Sequence, residues 1–535
     1  MCPGWAFRVC AEPARPGARR AHNVRMSKPP QVLDQPTGPT QQQRITGSHQ
    51  PWPLHDAQAS RRAESAALAV HAPFSLMSRA GLAVARLAQA VAPHAMQIHI
   101  WAGPGNNGGD GLVAARLLHQ AGRRVSVSFL GDPTKLPPDA AQAFVLAQRA
   151  GVPLQAWAGA PVPPHDLAID ALLGLGASRA PAGAMAAAID AINGGQAKVL
   201  AVDVPSGLNP DTGSVMGAAA VRAAFTLALL SLKPGCHTGQ GRDHSGDLWL
   251  DTLGVAAGPP TACLSGAPAV GARPHAAHKG SFGDVAVVGG APGMAGAAWL
   301  AARAALATGA GRVYCSLLDD KAAALDTSRP ELMTRAAWWR SAPALLAQTS
   351  VVCGCGGGQA VTAALPPLLA HAARLVLDAD ALNAVAADTA LATLLQARSA
   401  RGLPTLLTPH PLEAARLLQT STAQVQADRL TAAQSLAQRF NACVLLKGSG
   451  SVIAAPAATP FINPSGNAAL ATAGTGDVLA GWAAGLWAQC PDAAPLHVAV
   501  AAAWRHGQAA DVHASHHPGV PLRASDLIEA MALGA

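Results

Sequence analysis

Apolar positions recur at helical spacing between Ala63 and Ala90, through Leu68, Val70, Leu76, Met77, Leu82, Val84 and Leu87, and this spacing predicts helix. Short apolar runs then alternate with helix-like stretches. Strands are predicted at Gln97–Trp101, Arg124–Leu130, Leu167–Ala171, Val199–Val204 and Ala224–Leu230, with helices at Gly111–Ala121 and Ala182–Asn193 between them. Strands that alternate with helices imply a mostly parallel sheet covered on both faces. A second alternating region begins at Asp284–Gly289. It continues through strand candidates at Arg312–Ser316, Val351–Gly354, Leu375–Asp378, Thr405–Leu407 and Val444–Leu446. The fold class is therefore α/β twice over.

Between these regions, from Gly254 to Ala277, the chain turns to Gly, Pro and Ala with few charges, the composition of a linker. Residues 1 to 53 are rich in Pro, Gln, Arg and Gly and show no apolar period, so they read as disordered. Met26 could equally begin the chain. The expected organisation is an extension at 1–53, a first domain at 54–255, a linker at 256–272 and a second domain at 273–535. A length of 535 residues suits two such domains.

Composition narrows the classes. Half the residues are hydrophobic, 13% are charged and 4% are aromatic, so the cores must be packed from Ala, Val and Leu. The net charge of +8 suggests nucleic acid at first sight. Residues 1–50, however, carry Arg8, Arg15, Arg19, Arg20, Arg25, Lys28 and Arg44 against Glu12 and Asp34, leaving little excess for the rest. Nine scattered cysteines fit a reducing cytoplasm. The N-terminus lacks an apolar signal core, and no apolar run reaches about 18 residues. A cytoplasmic homo-oligomer is expected, with no nucleic-acid or membrane partner.

The sharpest local pattern is Gly103-Pro104-Gly105-Asn106-Asn107-Gly108-Gly109-Asp110-Gly111, which follows a strand and opens a helix. Glycines let backbone approach a ligand closely, and the helix start aims free N–H groups and a positive dipole end at an anion. A plain tight turn would explain the glycines but not two Asn and an Asp. Two more strand ends carry polar groups, Asp170-Ala171-Leu172-Leu173-Gly174-Leu175-Gly176 and Val202-Asp203-Val204-Pro205-Ser206-Gly207-Leu208. Ligands of open α/β sheets sit beyond the carboxyl ends of strands, so these loops should converge. Asn107, Asp170 and Ser206 offer only oxygen atoms, which suit a hard cation. Asp203 could act as general acid or base, or could simply cap the following turn.

With these three motifs in order, residues of about 60–255 resemble the YjeF N-terminal, NAD(P)H-hydrate epimerase family. The resemblance implies a Rossmann-like, three-layer domain that interconverts the R and S hydrates of NADH and NADPH (NADHX and NADPHX). Substrate contacts are implied at Asn106, Asn107, Gly108, Gly109 and Asp110, at Gly174, Leu175, Gly176, Ala177, Ser178, Arg179 and Ala180, and at Asp203. A potassium ion is implied on Asn107, Asp170 and Ser206, with Asp203 moving the proton. Where the family usually has an acidic residue, this chain has Ser78.

In the second region, Ala471-Thr472-Ala473-Gly474-Thr475-Gly476-Asp477-Val478-Leu479-Ala480-Gly481 leads into a helix. Glycines at a helix start again favour an anion. A carboxylate beside that cradle is costly unless it handles a proton or a metal, so Asp477 is a candidate base, with helix capping as the alternative. Lys447-Gly448-Ser449-Gly450-Ser451, Thr408-Pro409-His410-Pro411-Leu412-Glu413 and Asp378-Ala379-Asp380-Ala381-Leu382-Asn383 stand at further strand ends.

Together these motifs resemble the ADP/ATP-dependent NAD(P)H-hydrate dehydratase family over about residues 270–535. A ribokinase-like fold is implied, with nucleotide contacts at Lys447, Gly448, Ser449, Gly450, Ser451 and Gly476. Hydrate contacts are implied at Ala297, Gly356, His410 and Asp477. ADP with Mg2+ is the expected phosphoryl donor, leaving AMP and phosphate. One departure is Gly354-Cys355-Gly356-Gly357-Gly358, where the family usually has Gly-Pro-Gly-Leu-Gly. The competing readings are a ribokinase-like small-molecule kinase fused to a cofactor-binding domain, which shares the Gly-Thr-Gly-Asp motif, and a first domain that binds a nucleotide or a partner protein without catalysis.

Overall fold

The computed structural model describes residues 42–46, 50–177, 179–269 and 273–533. Its first sheet orders the strands Gln43–Arg44, Asp247–Asp251, Phe225–Leu229, Lys198–Val202, Leu167–Ala171, Gln97–Ala102, Arg124–Phe129 and Leu154–Ala156. All neighbours run parallel except the Gln43–Arg44 edge. Along the Gln97–Ala102 strand, Ile98, Ile100 and Ala102 face one core while Trp101 faces another, so both sides of the sheet are covered. The helical pattern around residues 63–90 resolves into two helices, Ala57–Val70 and Ser75–Val91, bent by 119°. Pro73 lies at the bend, where it offers no N–H and disfavours helical backbone in Ala72.

The second sheet has eleven strands in the order Met333–Thr334, Arg312–Leu317, Asp284–Gly289, Thr349–Cys353, Arg374–Leu377, Thr405–Leu407, Cys443–Leu446, Val452–Ala454, Phe461–Ile462, Ala262–Leu264 and Trp52–Leu54. It is parallel from Met333–Thr334 through Cys443–Leu446. Val285 and Val287 face one core, while Ala286 and Val288 face the other. Small residues set the helix packing on one face. An added Cβ at Gly481 would lie 2.0 Å from the Ala301 carbonyl oxygen, so the helices Ala295–Ala307 and Thr475–Gln489 meet backbone to backbone. That contact fixes the start of the second helix, where Asp477 stands.

Two boundaries differ from expectation. Trp52–Leu54, at the end of the expected N-terminal extension, is the edge strand of the second sheet and not of the first. Ala262–Leu264, inside the expected linker, is the strand it pairs with. Runs of three residues are too short to show a period, and Pro53 is tolerated here because the strand lies at a sheet edge. Gln43–Arg44, also in the extension, caps the first sheet. The remainder of the extension, residues 1–41 and 47–49, and linker residues 270–272 lie outside the described residues. An apolar seam of Leu54, Leu232, Leu250, Leu264 and Ile462 joins the two halves. Among the described residues no single helix is long and apolar enough to cross a membrane.

Candidate active sites

The first site forms where three strands of the first sheet end. The helix Asn106–Gln120 starts directly after the glycine-rich loop, with Gly105 as its N-cap. Most of the loop's glycines serve the protein's own packing. A Cβ at Gly103 would lie 1.9 Å from the Leu172 carbonyl oxygen, so only glycine lets this loop cross the Asp170 strand end. Gly105, by contrast, faces open space.

Asn107, Asp170 and Ser206 do converge. The Asn107 amide donates to the Leu173 carbonyl at 3.0 Å, and the Leu173 N–H donates to the Ser206 hydroxyl oxygen at 2.9 Å. The Ser206 hydroxyl donates to Asp170 at 2.6 Å, and its backbone N–H donates to the other carboxylate oxygen at 2.8 Å. Asp170 is fully buried, and among the described residues no basic side chain pairs with it. Burial pushes its carboxyl up to about 6, against the pull of the Ser206 and Leu172 hydrogen bonds.

Asp203 is buried at the end of the Lys198–Val202 strand, in left-handed backbone with φ of +68°. Such backbone is strained for a non-glycine residue and persists only where its surroundings demand it. Here the demand is an ion pair with Lys233, which also donates to the Leu229 carbonyl at 2.7 Å. The Leu229 N–H donates to Asp203 at 3.2 Å. Lys233, which this contact places in the candidate site, escaped the sequence reading. The available signal was a lone Lys between an apolar strand and a Pro-Gly turn, in Ser231-Leu232-Lys233-Pro234-Gly235.

Acidic groups crowd this pair. Burial and then the Asp203 charge push up both the Asp110 and Glu64 carboxyls. Glu64, on the first helix, was also missed and has no motif around it. In the loop after Asp170, Gly174 packs on Asn107, and the Leu175 carbonyl accepts from Arg61. Gly176, Arg179 and Ala180 are exposed, Asn106 is exposed too, and Ser178 lies outside the described residues.

The second site lies at the carboxyl end of the second sheet. Lys447, following the Cys443–Leu446 strand, donates to Asp378 at 2.6 Å and lies 3.9 Å from Glu413. Asp378 also accepts from the Thr408 hydroxyl at 2.9 Å. A Cβ at Gly476 would lie 3.3 Å from the Lys447 ammonium, which places the helix start beside the same cation. Asp477, Asp378 and the Cys355 thiol bring their polar atoms within 4.8 Å of one another. Burial, followed by the Asp378 charge, raises Asp477 to about 6.

His410 caps the helix Pro411–Leu418 and lies 3.1 Å from Glu413, whose carboxyl burial pushes up to about 7. Burial holds His410 below its usual value. Ala297 and Gly356 also meet, since a Cβ at Gly356 would lie 2.9 Å from that of Ala297. The altered loop keeps its turn: Gly354, Gly356 and Gly358 all have positive φ, and Cys355 is buried in place of Pro. In the Lys447–Ser451 loop, the Gly448 N–H is satisfied by the Ser451 hydroxyl at 3.3 Å.

Comparison with known proteins meets this geometry half by half. Residues 73–235 match the family model described as YjeF-related protein N-terminus, and residues 285–532 match that of NAD(P)H-hydrate dehydratase. A bifunctional NAD(P)H-hydrate repair enzyme of Coxiella burnetii is 36% identical over 467 residues, covering 85% of this chain and 93% of its own length. Its counterpart in Escherichia coli is 35% identical over 494 residues, covering 90% and 93%. The chain belongs to the bifunctional NAD(P)H-hydrate repair enzyme family. Its membership rests on both halves at once. Among solved structures, an ADP/ATP-dependent NAD(P)H-hydrate dehydratase from Bacillus subtilis aligns at 26% identity and a TM-score of 0.38, covering 49% of this chain and 91% of that one.

Proposed function

We propose that this member of the repair family epimerises R- and S-NAD(P)HX in its first half and dehydrates S-NAD(P)HX to NAD(P)H in its second. The dehydration uses ADP and yields AMP and phosphate. The observation that carries the reading is Asp477: a carboxylate in the first turn of a helix, beside the Lys447–Asp378 pair, with its carboxyl raised to about 6. A base so poised is mostly ionised at neutral pH, yet basic enough to accept a proton. It removes the proton of the hydrate hydroxyl as that oxygen attacks the terminal phosphorus of ADP, and AMP leaves. Phosphate then departs with its C–O electron pair, a ring proton is lost, and the ring double bond re-forms. Positioning and charge neutralisation supply most of the rate.

Lys447, Gly448, Ser449, Gly450, Ser451 and Gly476 hold the nucleotide, and Ala297, Gly356 and His410 line the hydrate side. Mg2+ would arrive with the nucleotide phosphates and neutralise their charge, with Asp378 the carboxylate available to it beside Lys447. The Cys355 thiol suits a hard cation poorly.

In the first half Asp203 transfers the proton, with Lys233 as its charge partner. Asn107, Asp170 and Ser206 would hold a potassium ion, a role supported by a buried carboxylate beside which, among the described residues, no basic side chain lies. The ion supplies charge to the substrate-binding loops at Asn106–Asp110 and 174–180. The enzyme is assigned to the cytoplasm as a homo-oligomer.

The deciding assay incubates the purified chain with mixed R and S NADHX, ADP, Mg2+ and K+, following nicotinamide absorbance. Full ADP-dependent recovery of NADH supports the assignment. No ADP-dependent recovery refutes the dehydratase and brings the kinase reading forward.

A further inference from the structure

The loop assigned to the nucleotide is not held by its own half alone. The segment after Lys233, a short 3-10 turn at Pro234–His237 followed by Thr238 and Gly239, reaches across the seam and grips it. The Gly239 N–H donates to the Ser449 carbonyl at 3.0 Å, and the Ser449 hydroxyl donates back to the Gly239 carbonyl at 3.0 Å. The fully buried Thr238 hydroxyl donates to the Gly450 carbonyl at 3.0 Å. The fit has no slack, since a Cβ at Gly450 would lie 2.0 Å from the His237 carbonyl oxygen.

The same Thr238 oxygen accepts from Arg429 Nε at 3.2 Å. Arg429 is almost wholly buried, and among the described residues no carboxylate pairs with it. Its guanidinium instead donates to the Leu446 and Lys447 carbonyls at 3.2 Å each and to Gln426 at 2.6 Å. Burying a guanidinium against carbonyl oxygens is expensive, and burial holds its proton affinity down to about 10. An arrangement of that cost fixes the backbone of the turn it clasps.

We infer that Thr238 of the first half and Arg429 of the second are positioning residues for the Lys447–Ser451 loop, so that the epimerase half completes the nucleotide site of the dehydratase half. Neither residue touches the reacting atoms. They act by fixing the carbonyls of Leu446, Lys447 and Gly450, which sets where the Lys447 ammonium and the loop N–H groups point. This rests on the assignment of that loop to the nucleotide.

The test is steady-state dehydration of S-NADHX by the full chain, with ADP and hydrate varied separately. Thr238→Val keeps the volume and removes every hydrogen bond of the hydroxyl, including its longer contact to the Ser449 carbonyl at 3.3 Å. The KM for ADP is expected to rise about tenfold, the effect of losing one buried hydrogen-bonding pair, while kcat and the KM for hydrate stay within about twofold. Thr238→Ser should restore the wild-type KM. Arg429→Lys, which keeps the charge but loses the fork, should move the KM for ADP in the same direction and serves if the Val variant does not fold. Arg242→Gln is the control. Arg242 crosses the same seam to the Pro464 and Gly466 carbonyls, at 3.1 and 2.7 Å, without contacting the loop, and its loss should leave the KM for ADP unchanged.

An unchanged KM for ADP in folded Thr238→Val overturns the inference, as does an equal rise in Arg242→Gln. Wild-type enzyme that shows no ADP dependence overturns the nucleotide assignment instead.

Discussion

Both halves set a lysine on an aspartate at the carboxyl end of a parallel sheet, but they use the pair differently. In the first half the candidate base is itself a member of the pair: Asp203 is bonded to Lys233, whose side chain is fully buried. In the second half the pair is Lys447 with Asp378, and the candidate base Asp477 stands beside it with no ion pair of its own among the described residues. One site therefore answers the cost of a buried carboxylate by neutralising it, and the other by letting its carboxyl rise to about 6. The difference matches the tasks proposed for them. Epimerisation returns its proton within each cycle and benefits from a fixed partner. Dehydration needs a base that can take a proton while phosphoryl charge builds nearby.

This contrast can be broken most severely at Asp477. Asp477→Asn should lower kcat for ADP-dependent dehydration by about a thousandfold, the usual worth of a positioned general base, while epimerisation proceeds. Coupled absorbance for dehydration and separation of the R and S hydrates for epimerisation would report the two halves independently.

The paired site should fail differently. Lys233→Met leaves Asp203 buried without its counter-charge, so epimerisation should fall about a hundredfold and stability by about 3 kcal/mol. The double variant Lys233→Met/Asp203→Asn should regain much of the melting temperature but none of the epimerisation. Recovery of epimerisation there would mean that the pair is structural and the base lies elsewhere.

The raised carboxyl sharpens the comparison through pH. A base with a value of about 6 is protonated below it, so dehydration should lose about tenfold per pH unit below that point and level off above it. The smallest effect concerns the candidate potassium site. Asp170, raised to about 6 in the folded state, binds its proton more tightly there than in the unfolded chain. Its contribution therefore favours folding at low pH and is lost as pH rises from about 4 to about 6. A cation compensates only the ionised form. Saturating K+ should thus raise the melting temperature by a few degrees at pH 8, about 2 kcal/mol or less, and hardly at all at pH 5.

The site motifs were legible because each sits where a strand ends, and strand ends are marked by a sharp switch from apolar to Gly, Asn, Asp and Ser. The Asn107, Asp170 and Ser206 convergence follows from that rule, since parallel strands bring their ends to one edge. Strand interiors were legible for the same reason: Leu167–Ala171, Asp284–Gly289 and Thr405–Leu407 are flanked by contrast.

What escaped was long-range or unmarked. Lys233 and Glu64 become site residues only through tertiary placement against Asp203. Arg429 sits inside an ordinary-looking helix sequence, and nothing local shows that its guanidinium is buried against carbonyls. Most of the glycines in the Gly103–Gly111 motif were credited to a ligand, whereas several are needed by the crossing of the protein's own backbone. A glycine pattern reports closeness and does not say to what.

The Trp52–Leu54 strand has a practical consequence for anyone wishing to dissect the molecule. It precedes the whole first half yet is stitched to the far edge of the second sheet through Ala262–Leu264. A protease nick between the halves would therefore leave fragments that co-elute, still delivering the two activities in one-to-one stoichiometry. Expressing the second half from residue 273 onward would remove two strands and uncover the Phe461–Ile462 edge, inviting aggregation. A fragment intended to be an independent dehydratase would need a substitute for that clasp before its behaviour could be compared with the intact chain.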